Sequence, residues 1–393
     1  MTDSFQEKLT DELAEIDSAD LRRTVREVAS AQGARVELEG REVLNFSSND
    51  YLGLANHPAL KEVAVEVIKK FGAGAGAARL ISGSQSPHHE LERALAAFKG
   101  TEAALAFSSG YAAALGTIPA LVGQGDVVVL DKLVHASLVD AAKLSGAKLR
   151  VCKHNDLADL ARILEWATGH GGRTLVVAES VYSMDGDLAP LLNLVELKEQ
   201  HGAWLMLDEA HATGLYGEGR RGVAEEFGVG DRVEVQMGTL GKALGAAGGY
   251  ICGSIELIDL LRHRARSFVF STAPMPAQAA AARAGIEVVQ SPEGEQRRTR
   301  LWSLVDELKN GLIARGWKLP AVQSAILPLT VGAEAEAVAL SERLLEAGVF
   351  VPAIRYPTVA RGEARLRITV SAAHSSEDIE QLLKALGEGK SDA

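Results

Sequence analysis

The sequence predicts an α/β fold, with a mostly parallel central sheet flanked by helices and a smaller carboxy-terminal α+β domain. Three observations carry that expectation. Short apolar runs at 103–107, 127–130, 174–178, 204–207, 233–237 and 249–251 are continuous rather than alternating, as strands buried on both faces are. Helix-length stretches separate most of these runs, which is what crossovers between parallel strands require. Beyond a charged segment at 292–296, the runs 326–331 and 366–370 read as strands between helices, apart from the main series. At 393 residues the chain exceeds the size, about 250–300 residues, at which single cores stop growing. The expected division is an amino-terminal helix and hairpin segment at 1–48, a large α/β domain at 49–288 and a small domain at 289–393.

In chain order, residues 3 to about 32 are charged and weakly amphipathic, with Leu9, Leu13 and Ile16 at helical spacing, and read as a helix lying over the main body. Alternation at 34–40 and the apolar run 42–46, with Gly40 between them, signal a hairpin. Leu60, Val63, Val67, Ile68 and Phe71 share one face of a helix that starts near Pro58 and stops at Gly72. The glycine- and alanine-dense stretch 72–83 reads as a loop beside a ligand or another subunit. A second amphipathic helix is expected from about 87 to 99, and the tail 387–393 reads as frayed.

Apolar content of 47% and charged content of 24% are those of an ordinary globular protein. A net charge of −11 without a long basic run argues against nucleic-acid or anionic-membrane partners. Cys152 and Cys252 lie among apolar or small residues and are expected to be free core thiols in a reducing compartment. No apolar run reaches the roughly 18 residues of a membrane span, and the charged start opens no secretory signal, so the expected location is the cytoplasm.

Chemistry gathers after the apolar runs. Gly238-Thr239-Leu240-Gly241-Lys242-Ala243-Leu244-Gly245 sets one lysine among small residues. A lysine attacks carbonyls near neutrality only when its neutral form is favoured, and the hydroxyl and amides around it could hold a phosphate. A surface turn is the competing reading of these eight residues. Asp208-Glu209-Ala210-His211 closes the run 204–207; a carboxylate there can pair with a heterocyclic ring nitrogen while the imidazole meets a ring substituent. The same four residues also look like the magnesium box of nucleic-acid-dependent ATPases, yet no phosphate loop of the form Gly-x4-Gly-Lys-Ser/Thr is present. A metal at Asp208 and His211 would lack a third ligand at fixed spacing. Ser183 precedes the Asp185-Gly186 turn signal, His135 follows 127–130 where its ring could cover a planar cofactor, and Ser108-Ser109-Gly110-Tyr111 opens a helix whose amides suit an anion. Taken singly, each of these also fits a structural role.

Six segments together resemble the α-oxoamine synthase family of fold type I pyridoxal 5'-phosphate (PLP) enzymes. They are Asn-Phe-Ser-Ser-Asn-Asp-Tyr-Leu-Gly at 45–53, His-Ala-Ser at 135–137, Ser-Met-Asp-Gly-Asp at 183–187, Asp-Glu-Ala-His at 208–211, Thr-Leu-Gly-Lys at 239–242 and Ala-Arg-Leu-Arg-Ile-Thr at 364–369. They span nearly the whole chain in family order. Leu-Ile-Ser-Gly-Ser at 80–84, the segment 271–278 and Pro-Thr-Val at 357–359 look most like the biotin-pathway member, which joins alanine to a pimeloyl thioester.

The resemblance implies a set of roles. Lys242 would anchor PLP covalently and later move protons; Asp208 would pair with the ring nitrogen, His211 and Ser183 would lie near the ring oxygen, and His135 would stack on the ring. Gly110, Tyr111 and Thr239 would hold the phosphate, with Ser271 and Thr272 contributed by the second subunit of a homodimer. Arg367 would grip the amino-acid carboxylate, with Asn49, Glu179 and either Arg22 or the adjacent Arg23 on the substrate side. It also implies small-molecule substrates and no metal. Glycine with acetyl-coenzyme A, another acyl chain, or a catalytically silent binding protein on the same fold are the alternatives.

Overall fold

The computed structural model describes residues 4–18 and 21–389. Its centre is a seven-stranded sheet in the order β3-β9-β8-β7-β6-β4-β5. The strands are β3 (Ala103–Phe107), β4 (Val127–Asp131), β5 (Lys148–Cys152), β6 (Thr174–Glu179), β7 (Trp204–Asp208), β8 (Val235–Thr239) and β9 (Gly249–Gly253). β9 runs antiparallel to both neighbours, while β5, β4, β6, β7 and β8 pair in parallel, so β3 points the same way as those five. The carboxyl ends of β3, β4, β6, β7 and β8 therefore share one edge, where ligands of such sheets collect.

Both faces of this sheet are covered, which is why its strands read as unbroken apolar runs. Val127, Val129, Val176, Leu205 and Leu207 enter one core, and Val128, Leu130, Val177, Met206 and Met237 enter the other. β5 escapes the apolar criterion because it is the edge strand. Its Lys148 and Val151 are exposed, and Lys148 and Arg150 both lie over the Trp166 ring.

The carboxy-terminal region holds an antiparallel sheet of β10 (Ile326–Gly332), β13 (Ala364–Thr369) and β12 (Ala353–Ile354). The early hairpin, β1 (Arg35–Leu38) and β2 (Arg41–Asn45), is extended by the late strand β11 (Val349–Phe350), which runs parallel to β2. The amino-terminal hairpin and the carboxy-terminal region thus share backbone hydrogen bonds.

The first helix differs from expectation. It covers Phe5–Ser18 rather than continuing to about residue 32, and none of its residues is buried within the chain. From Leu21 onward no helix continues, and around Val28 the chain pairs with β1. Ala29 N donates to Glu37 O and Glu39 N donates to Glu27 O, at 2.8 and 3.0 Å, so this segment spends its peptide groups on β1 instead of on helical turns. The helices Pro58–Phe71 and Ser86–Lys99 lie where the periodicity places them. Residues 390–393 of the expected frayed tail lie outside the described residues. Among the described residues, no helix is long and apolar enough to cross a membrane.

Candidate active site

The strand ends at the shared sheet edge, and the loops that leave them, deliver polar groups to one place. β8 ends at Thr239 and the chain turns tightly to Lys242; Gly245 sits at φ +67°, where a Cβ would come within 2.5 Å of the Leu54 carbonyl carbon. That approach requires glycine. Lys242 Nζ lies 3.0 Å from His211 Nε2, and His211 Nδ1 lies 2.6 Å from the Tyr51 hydroxyl. Asp208, at the end of β7, is buried, with Oδ1 accepting from Ala210 N at 2.9 Å.

Burial sets the electrostatics. Desolvation pushes the Lys242 amine down to about 8, with the carboxylates of Asp208 and Glu179 opposing the shift and the Arg367 guanidinium adding to it. His211 is held well below the ordinary histidine value by burial and then by the positive charges of Lys242 and Arg367, so its imidazole is neutral. Burial also raises the carboxyls of Asp208 and Glu179 above the usual range.

Glu179 ties two loops together. Its Oε1 accepts from the His135 amide and its Oε2 from the Ser183 amide, the latter at 3.2 Å. His135 caps the helix Ala136–Ser145 and its Nδ1 accepts from Ser137 N at 3.2 Å. Burial lowers its pKa. Arg367, on β13, donates through Nε to the Ser183 carbonyl at 2.5 Å and through both Nη atoms to Asn49 Oδ1 at 3.2 Å, with Thr369 Oγ1 3.0 Å from Nη1. Lys242, His211, Asp208, Glu179, Ser183, His135, Asn49 and Arg367 are thereby linked into one constellation.

The structure fits a phosphate-bearing cofactor at the neighbouring helix start. Gly110 begins the helix Gly110–Leu121, and a Cβ there would stand 2.6 Å from Thr239 Cγ2. Thr239 Oγ1 is buried without a hydrogen-bond partner among the described residues, an orphaned donor beside the first amides of a helix. Tyr111 is half exposed, its hydroxyl donating to Asp140 Oδ2 at 2.7 Å.

Three expected residues stand outside this cluster in the single chain. Ser271 donates to the Thr272 carbonyl at 3.1 Å, and Thr272 bridges Ala78 in the glycine-rich loop. Arg22 is exposed and pairs with Asp17 at 2.8 Å, its carbonyl accepting from Arg355. Two participants were missed from the sequence. Tyr51 lies inside the quoted segment 45–53 but contacts a residue 160 positions away. Lys99 closes a helix, and its buried amine meets Glu209, the neighbour of Asp208.

Fold and site together define a fold type I PLP-dependent transferase. Residues 41–386 match the family described as aminotransferase class I and II. The 8-amino-7-oxononanoate synthase of Geobacter sulfurreducens is 50% identical over 95% of this chain and 96% of its own length. That of Symbiobacterium thermophilum is 46% identical over 96% of each. A variant of the serine palmitoyltransferase from S. paucimobilis, solved with bound PLP and myriocin, superimposes with a TM-score of 0.90 at 30% identity, covering 97% of this chain and 96% of that one. The 8-amino-7-oxononanoate synthase of Francisella tularensis gives 0.74 at 27% identity, covering 88% and 96%. The chain belongs to the aminotransferase class I and II family, within its α-oxoamine synthase branch.

Proposed function

We propose that this protein condenses L-alanine with a pimeloyl thioester to give 8-amino-7-oxononanoate, carbon dioxide and the free thiol carrier, a step of biotin biosynthesis. The observation that carries the choice of substrates is the near-full-length likeness to relatives named for that reaction.

When bound, PLP supplies a protonated ring that spreads the electron pair left on the α-carbon as a proton or carboxylate departs. The chain's residues do the rest. Lys242 would anchor the cofactor and, once free, would take the substrate α-proton on Nζ; burial, which lowers its pKa to about 8, favours the neutral amine this needs. Asp208 would pair with the ring nitrogen, a charge-assisted hydrogen bond worth roughly 1.5–3 kcal/mol. His135 would cover the ring face, Ser183 and His211 would flank the ring oxygen, and Gly110, Tyr111 and Thr239 would hold the phosphate. Arg367 presents its fork to the alanine carboxylate, steadied by Asn49, while Glu179 fixes the loops bearing His135 and Ser183. Arg22 is the proposed amino-terminal substrate arginine.

The same proposal includes a homodimer in which Ser271 and Thr272 serve the partner's phosphate site. Its support is the apolar surface beside them: Leu80, Ile81 and Phe270 are 52%, 80% and 72% exposed. We place the enzyme in the cytoplasm, in keeping with its two free cysteines, and divide the chain at 48/49 and 288/289.

The test is thiol release with alanine, glycine or serine against acetyl, pimeloyl and palmitoyl thioesters. Alanine with the pimeloyl thioester is expected to give the highest kcat/KM. A higher value for glycine with acetyl-coenzyme A, or for serine with the palmitoyl thioester, would overturn the substrate assignment.

A further inference from the structure

We propose that Tyr51 is a positioning residue: its phenol holds His211 in the tautomer whose Nε2 accepts a hydrogen bond from the Lys242 amine. The inference rests on Lys242 being the cofactor lysine of the proposed function, and it is independent of which amino acid or thioester is used.

A line of hydrogen bonds runs through the site, and its lysine end fixes its direction. At one end Lys242 Nζ is 3.0 Å from His211 Nε2, and an ammonium can only donate. At the other end Asn49 Oδ1 can only accept, and it does so from the Tyr51 hydroxyl at 3.4 Å as well as from both Nη atoms of Arg367. Between them Tyr51 Oη and His211 Nδ1 are 2.6 Å apart. A neutral imidazole has one donor and one acceptor nitrogen. With Nε2 accepting, Nδ1 carries the proton and gives it to the phenol oxygen, whose own proton points to Asn49.

Tyr51 is 1% exposed and its ring meets the imidazole edge-on, with centroids 6.0 Å apart. A phenylalanine would fill the same space. What it would lack is an acceptor for Nδ1–H, and a buried donor left without a partner is costly. The imidazole then gains by moving its proton to Nε2, which aims a donor at Lys242 and disfavours the ammonium. The titratable and charged groups that face the Lys242–His211 pair are Asp208, Glu179, His135 and Arg367. None of them replaces the phenol as the partner of Nδ1.

The lysine amine captures PLP only when unprotonated, so the rate of capture rises with pH through its pKa, near 8 in the wild type. Without the phenol the midpoint moves down by about one pH unit. Two measurements on the full-length, PLP-free protein test this. The first is the imidazole nitrogen spectrum of histidine-labelled protein, with the His211 signals identified by their loss in His211→Gln. The expected wild-type pattern is Nδ1–H, changing to Nε2–H in Tyr51→Phe. The second is the pH dependence of visible-band growth on adding PLP, with the midpoint lowered in Tyr51→Phe. An Nε2–H pattern in the wild type overturns the proposal, whether or not the variant folds. So does a Tyr51→Phe protein that folds and keeps the wild-type tautomer and midpoint. A wrong substrate assignment would leave both readouts unchanged.

Discussion

Two buried lysines lie near the adjacent acids at the end of β7, and their surroundings are opposite. Lys99, at the end of the helix Ser86–Lys99, is locked to Glu209 with side-chain exposures of 1% and 0%. It also donates to the Arg221 carbonyl, while Glu209 accepts from Ala224 N at 2.9 Å. Every charge there has a partner. Lys242 meets a neutral imidazole instead, and burial leaves its ammonium poorly supported in spite of Asp208 and Glu179 nearby. A buried lysine that is ion-paired holds the scaffold together; one held by a neutral acceptor is ready to lose its proton and react.

Substitutions should separate the two roles. Lys242→Ala is expected to lower turnover by about 10⁴-fold, seen as loss of thiol release, while changing folding stability by no more than about 1 kcal/mol, because burial already disfavours that charge. Lys99→Met should do the reverse. It leaves Glu209 buried and unpaired, a cost of about 3–5 kcal/mol in urea denaturation, while the folded fraction still captures PLP. If Lys99→Met abolished capture without loss of stability, the contrast would fail. Asp208→Asn should weaken PLP binding about 10- to 100-fold in a fluorescence titration, since a neutral amide forgoes the charge-assisted bond to the ring nitrogen; unchanged affinity would remove that role. Smallest of all, Tyr111→Phe forfeits one half-exposed hydrogen bond to Asp140, and kcat/KM should stay within about threefold of the wild type.

Burial on both sheet faces made the central fold legible. The run 103–107 coincides with β3, and those starting at 127, 174 and 204 begin at the residues where β4, β6 and β7 begin. The strand ends then located Lys242, Asp208, His211, Ser183 and His135, because a parallel sheet aligns its carboxyl ends. What periodicity lacks is direction and partnership. It gave no sign that β9 runs antiparallel, and β5 was missed because Lys148 and Arg150 break the apolar pattern on an edge strand. The helical spacing of Leu9, Leu13 and Ile16 was real but ended at Ser18, after which pairing with β1 took over the backbone. Tyr51 and Lys99 were overlooked for one shared reason: their partners, His211 and Glu209, lie 160 and 110 residues away.

The central claim is that Lys242, and not its buried counterpart Lys99, carries the cofactor. Borohydride reduction of the PLP-loaded protein, followed by proteolysis and mass spectrometry, tests it directly. A phosphopyridoxyl group on the peptide containing Lys242 is the predicted result. The same group on Lys99 or any other lysine, with the Lys242 peptide unmodified, would contradict it.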